Sequence, residues 1–194
     1  MELAAKHPGG RPRGFDRDAV LETAMRLFWR QGYEGVSFQQ LTAETGLAAP
    51  SLYAAFGNKA SLYREAIDRY AAMRGASDLS FMGERFTLAE AVRLLLEGTA
   101  KGLLDPAGEL GCMLNTGLIA SHPDHADLAR ELTERRAAFR DLLARKLRFW
   151  VDDERAENLA RYLTTVMQGM AIQARDGATA GELQAIVDEA LRAS

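Results

Sequence analysis

Apolar side chains along the chain recur at steps of three and four residues, and no stretch shows the two-residue alternation of a half-buried strand. The pattern predicts an all-α protein of about nine helices. The first covers residues 16–31, with Val20, Ala24, Leu27 and Phe28 on one face and a stop at Gly32. Ser37 reads as the cap of a short helix over 38–45, ended by Gly46. A second short helix follows over 49–56, with Pro50 in its first turn, where a missing N–H costs nothing. Asn58 caps a helix over 59–73 that turns Leu62, Ala66, Ile67 and Tyr70 inward.

Residues 75–86 have weak periodicity and mark a boundary. Thr87 caps a helix to about residue 104, and Asp105-Pro106-Ala107-Gly108 breaks the chain. A short apolar helix is expected over 111–120. The longest helix is expected from His122-Pro123 to about residue 151, with Leu128, Leu132, Phe139, Leu143 and Leu147 in its stripe. Asp152 or Asp153 opens the next helix, to about residue 175, and Thr179 caps the last after Gly177.

Residues 37–56, SFQQLTAETGLAAPSLYAAF, place two short helices around a tight turn at Gly46-Leu47, pinned by Leu41 and Leu52. That spacing suits a helix-turn-helix, in which the first helix braces a second that can enter a major groove. A plain helical hairpin has the same spacing. The second helix offers Ala48, Ala49, Pro50, Ser51, Tyr53 and Ala54, mostly small groups that let a backbone approach DNA closely.

The length of 194 residues permits a sizeable core. A single cysteine excludes a disulfide framework or an all-thiolate zinc site. No apolar run reaches the roughly 20 residues of a membrane span, and the polar start lacks a signal peptide's apolar core, so a cytoplasmic location is expected. The net charge of −3 argues by itself against a nucleic-acid partner. Its distribution reverses that. Residues 1–70 carry nine basic and eight acidic side chains, and residues 71–194 carry 15 and 19. Residues 1–14 form a basic arm in which Arg11 and Arg13, set among Gly and Pro, suit a narrow minor groove. No nucleophile elbow, phosphate loop, dinucleotide fingerprint or zinc-protease motif occurs, so no enzyme and no cofactor are expected.

Residues 15–63 resemble the N-terminal domain of the TetR family of transcriptional regulators. The matching residues are Ala24, Leu27 and Phe28, Gly32-Tyr33, Ser37, the turn from Leu41 to Gly46, Leu52-Tyr53, Phe56, Lys59 and Leu62. The resemblance implies a homodimeric, ligand-responsive repressor released from a near-palindromic double-stranded operator by an unidentified small molecule. It divides the chain into the arm, a DNA-binding domain over 15–60 and a ligand-binding and dimerisation domain over 61–194. Lys59, Ser37 and Tyr53 would meet phosphates, and Gln39, Gln40, Thr42, Ala48, Ala49, Pro50 and Ser51 would face DNA. The family often has an aromatic residue and then histidine after Leu-Tyr. Here Ala54 and Ala55 stand there, which leaves the reading helix poor in hydrogen-bonding groups.

The resemblance also implies a pocket, for which Leu95, Leu103, Met113, Leu114, Asn115, Phe139, Phe149, Met167 and Gln168 are candidates. It implies a dimer interface on the last two helices, for which Leu159, Leu163, Val166, Met170, Leu183, Ile186 and Val187 are candidates. Cys112, at the start of an apolar helix, is an alternative redox sensor, and His122 with His125 an alternative metal pair. A helical scaffold that never touches DNA is the remaining reading.

Overall fold

The structure, a computed structural model, describes residues 15–74, 78–104 and 109–193. Among these it is all-α, with nine α-helices and no strand beyond an isolated Leu104–Leu110 bridge. The basic arm, with Arg11 and Arg13, lies outside the described residues, as does the break at 105–108.

Helix α1 (Arg17–Gly35) starts where the Asp16 carboxylate accepts from the Asp18 and Ala19 N–H groups. Its ladder breaks at Gly32, at φ 74° and ψ 170°, and a last turn follows to Gly35. The stop expected at Gly32 is thus a backbone break inside a longer element. Helix α2 (Phe38–Thr45) opens with reciprocal Ser37–Gln40 capping and closes at Gly46, left-handed at φ 69°. Helix α3 (Ala49–Phe56) follows at once, and α4 (Lys59–Arg74) begins where Asn58 accepts from the Ser61 N–H.

Thr87 and Glu90 cap α5 (Leu88–Leu103) reciprocally. The apolar helix expected over 111–120 is only one turn, α6 (Met113–Thr116). Gly117 ends it in a site without room for a side chain: a Cβ there would lie 2.5 Å from the Met113 carbonyl and 2.7 Å from Leu132. A 3-10 turn (Pro123–His125) leads into α7 (Ala126–Leu147). This helix stops four residues short of expectation. The chain instead winds so that the Trp150 indole N–H reaches the Phe86 carbonyl at 3.0 Å. Helix α8 (Asp153–Arg175) is the longest, at 23 residues, and α9 (Ala180–Ala193) packs on α5 and α8.

Two apolar clusters hold the chain, and they do not follow chain order. The first joins α1–α4 to Met113, Leu118, Leu128 and Leu132. The second joins α5, the second half of α7, α8 and α9. Polar ties reinforce the seam between them. Within the first cluster Arg64 of α4 also binds Glu131, beside Leu128 and Leu132 of α7, through two bonds of 2.6 and 2.7 Å. Arg26 of α1 reaches the buried Glu109 at 2.9 Å, with Arg30 at 3.6 Å. Arg175, which ends α8, donates to the Trp29 and Arg30 carbonyls at 2.5 and 3.0 Å, groups freed by the break at Gly32. The Trp29 indole N–H in turn donates to the Gly111 carbonyl at 3.3 Å.

Candidate nucleic-acid interface

Leu41, Leu52 and Phe56 are buried and fix α2 and α3 against α1 and α4. The opposite side of α3 is open. Ala48, Pro50, Ser51, Tyr53 and Ala54 are exposed, and Ala49 is half-buried. The structure therefore brings the expected reading residues of α3 together on one face. The Tyr53 ring stacks on Phe38, the first residue of α2, with centroids 4.2 Å apart and planes within 13°. Half of Tyr53 remains exposed, so the ring is held while the hydroxyl can reach outward. Phe38 as a platform was not legible beforehand, because an apolar residue opening a helix signals only core.

On α2 the expected residues divide. Gln39 is exposed, and its amide makes no hydrogen bond among the described residues. Gln40 is committed at both ends: its oxygen accepts from the Ser37 N–H at 2.9 Å and its nitrogen donates to Gln31 at 3.2 Å. It therefore braces α2 rather than offering a free amide to a base. The Ser37 oxygen accepts from the Gln40 N–H at 3.0 Å, which leaves its own hydroxyl proton and the first-turn N–H groups directed off the helix end. The Thr42 hydroxyl donates to the Gln39 carbonyl at 2.8 Å, a local bond that DNA would have to replace.

Lys59 opens α4 with its ammonium 4.3 Å from the centre of the Tyr33 ring. Burial lowers its pKa, opposed by the nearby Glu34 carboxylate. The ring holds the charge in place at a helix N-terminus, where the backbone dipole also favours an anion. Tyr33 packs in turn against Phe28, Tyr63 and His125. Arg17 ties the start of α1 to α3 and α4. It binds both Glu65 oxygens at 2.8 Å and lies 4.4 Å over the Phe56 ring at the end of α3.

Behind this head, α4, α5, α7 and α8 line a half-open cavity of about 650 Å³. Of the candidate pocket residues, Leu95, Leu103, Leu114, Asn115, Phe139, Met167 and Gln168 line it. Two candidates do not. Met113 is buried in the first cluster, and Phe149, beyond the end of α7, is 55% exposed and stacks edge-on with Trp150. Cys112 also borders the cavity. Tyr70 lies beside it, and burial, followed by the cysteine contact, raises the Tyr70 pKa.

The dimer candidates need revision. Leu159, Leu163, Met170, Leu183 and Val187 are at most 2% exposed in the isolated chain, because they fill its own second cluster. Val166 and Ile186 are half-buried against it. A stripe of Tyr162, Thr165, Gly169 and Ile172 occupies the open side of α8, with Tyr162 37% and Ile172 47% exposed. The sequence signal was the second, shorter apolar rhythm on α8, masked by the stronger core stripe. His122 and His125 do not gather a metal site, since no three His, Cys, Asp or Glu side chains cluster suitably among the described residues. His122 instead faces Asp124 at 3.4 Å, and its backbone N–H donates to Glu34.

Comparison with known proteins agrees with this arrangement. Residues 20–66 match the model for bacterial regulatory proteins of the tetR family. The chain is 33% identical over 198 residues to the HTH-type transcriptional repressor ComR of Escherichia coli (strain K12), covering 96% of this chain and 92% of that protein. It is 28% identical to the HTH-type transcriptional repressor BdcR of the same strain, covering 87% and 83%. A cysteine mutant of the TetR family transcriptional regulator CifR, solved with a 26-base-pair double-stranded operator DNA, superposes with a TM-score of 0.85 at 34% identity, covering 95% of this chain and 99% of that one. With a helix-turn-helix head and a half-open cavity in one all-helical chain, and with relatives of this identity along nearly its whole length, the protein belongs to the TetR family of transcriptional regulators.

Proposed function

We propose that this chain is a cytoplasmic, non-enzymatic repressor that binds a near-palindromic operator as a homodimer and is released from it by a small molecule. The carrying observation is that α4 belongs to both halves of the machine. Its first residue, Lys59, directly follows the helix-turn-helix, and its last turns, at Tyr70, Ala71 and Arg74, wall the cavity. A ligand that prefers one position of α4 would change the spacing of two reading heads and so the affinity for paired half-sites. Residues 15–60 then serve as the DNA-binding domain and 61–194 as the sensing and dimerising domain. Among the described residues no helix is long and apolar enough to cross a membrane.

In this reading Lys59, Ser37 and Tyr53 position the phosphate backbone. Gln39, Pro50, Ser51 and the small α3 residues face the groove. Apolar α3 groups suit thymine methyls, so much of the specificity rests on DNA shape and on the arm. The test is a mobility shift on DNA flanking the protein's own gene. Lys59→Ala should weaken binding about tenfold on every DNA sequence and lower the salt slope by about one. A loss confined to one operator sequence would assign Lys59 to base recognition instead.

Proteins of this family are homodimers, and the open α8 stripe is the proposed contact. A Cβ added at Gly169 would meet no atom within 4 Å, which leaves room for close helix approach. Ile172→Glu should shift sedimentation from dimer to monomer and weaken operator binding more than tenfold, because two half-sites would then bind independently. A dimer that sediments unchanged would move the interface elsewhere.

A second reading has its own support in the position of Cys112 at the cavity wall. There an electrophile or oxidant could act on the thiol from within the ligand site. Release of DNA by such reagents from the native protein, abolished in Cys112→Ser, would favour it. Equal release from both proteins would remove it.

A further inference from the structure

Given that the cavity is the effector site, we infer that its effector is an organic anion, a carboxylate or phosphate head on an apolar body, met by Arg136 and Arg145. Among the described residues four guanidinium side chains line the cavity, from Arg74, Arg135, Arg136 and Arg145, against one carboxylate, that of Asp78. Their pairing is uneven. Arg135 is neutralised by Asp68 at 2.7 Å. Arg74 stacks 4.5 Å over the Trp29 ring. Arg136 donates to the Leu114 and Gly117 carbonyls at 3.0 and 3.1 Å and to the Thr133 hydroxyl at 3.0 Å, and meets no carboxylate among the described residues. Arg145 forms no ion pair among them. Asp78 is exposed at the mouth and turned toward Ser80, whose N–H it accepts at 2.9 Å.

The remaining wall is apolar, with Leu95, Leu103, Phe139 and Met167 prominent. A half-buried guanidinium with no counter-charge is short of solvation. Burial accordingly lowers the Arg136 pKa. An arriving anion supplies the missing charge, a neutral molecule leaves it missing, and a cation adds repulsion. The size falls within the ordinary range for small-ligand sites. The same residues connect outward. Arg136 holds a carbonyl within the α6 turn and that of Gly117, which ends it, and Arg74 rests on the indole of α1. An anion that draws on these guanidinium groups therefore competes with contacts that seat the reading head.

The test uses the full chain with matched sets on linear and aromatic bodies: octanoate and phenylpropionate, their alcohols and amines, and octyl phosphate as the second anion. Thermal shift, titration calorimetry and release of operator DNA in a mobility shift are the readouts. The anions should bind and raise the Tm, with alcohols and amines roughly tenfold weaker. Added salt should weaken the anions alone, and the stronger of octanoate and octyl phosphate identifies the head group. Arg145→Gln, a change at an exposed position, should lower anion affinity about tenfold and leave the alcohols unchanged. The same pattern from Arg136→Gln, in protein that retains its helical circular dichroism, supports the assignment of both residues. Amines or alcohols that bind as well as the anions, no anion binding at all, or anion binding indifferent to both substitutions would overturn the inference. Anions that bind without releasing operator DNA uphold the ligand class and reject the cavity as effector site. Release by an amine does the reverse.

Discussion

Gly111→Ala should lower the unfolding free energy by roughly 2–5 kcal/mol, from left-handed strain of about 1–2 kcal/mol and overpacking of about 1–3 kcal/mol. Gly111 sits at φ +79°, and a Cβ there would lie 2.5 Å from the Arg175 Cγ and 2.9 Å from the Ala171 carbonyl. The second neighbour is helix backbone and cannot swing aside. The first could move only by dragging Arg175 off the Trp29 and Arg30 carbonyls and the Thr116 hydroxyl. Gly177→Ala is the control. Its φ of +98° carries backbone strain, yet nothing lies within 4 Å of the added carbon. Denaturant titration of both variants isolates the packing contribution. A loss in Gly111→Ala no larger than in Gly177→Ala would show that the seam yields easily.

Arg26→Met should cost about 3 kcal/mol, more than Glu109→Gln, although the two changes break the same ion pair. The asymmetry follows from burial. Glu109 is 3% exposed, while the Arg26 side chain is 31% exposed. Without Arg26, a carboxylate is left away from water with, among the described residues, only Arg30 as counter-charge, 3.6 Å off and half exposed. Without the Glu109 charge, the arginine can turn to Glu22, at 3.0 Å, and to solvent. Glu22 is not stranded in either variant, since Arg69 also holds it at 2.7 Å. Denaturant titration of both variants measures the difference. A loss in Glu109→Gln as large as in Arg26→Met would place the cost elsewhere.

Local signals carried much of the architecture. Ser37, Thr87, Asp152 and Thr179 each stand at the helix start expected of a capping side chain, and Gly46 and Gly177 adopt positive φ where stops were read. The open face of α3 was also legible, because Leu52 and Phe56 leave only one side of an eight-residue helix free. What escaped depended on partners far along the chain. Gln40 looks like a free amide until Ser37 and Gln31 are seen to hold it. The apolar residues of α8 and α9 looked like a dimer surface because periodicity shows that a face is apolar without showing what covers it. α5 and α7 supply that cover. The guanidinium groups of the cavity come from α4 and α7, separated by more than sixty positions, and no local window can show them converging.

The hold of Arg175 on the carbonyls of Trp29 and Arg30 has a consequence in time as well as in space. A ribosome delivers the amino end first, at about 5–20 residues per second, so the end of α1 waits on the order of ten seconds for the side chain that completes it. Met113, Leu118, Leu128 and Leu132 of the same cluster also emerge late. During synthesis the head that grips DNA is unfinished until nearly all of the sensing half has been made. A truncated or stalled chain would thus lack a finished grip, and an operator would be spared occupation by a regulator unable to respond to its signal.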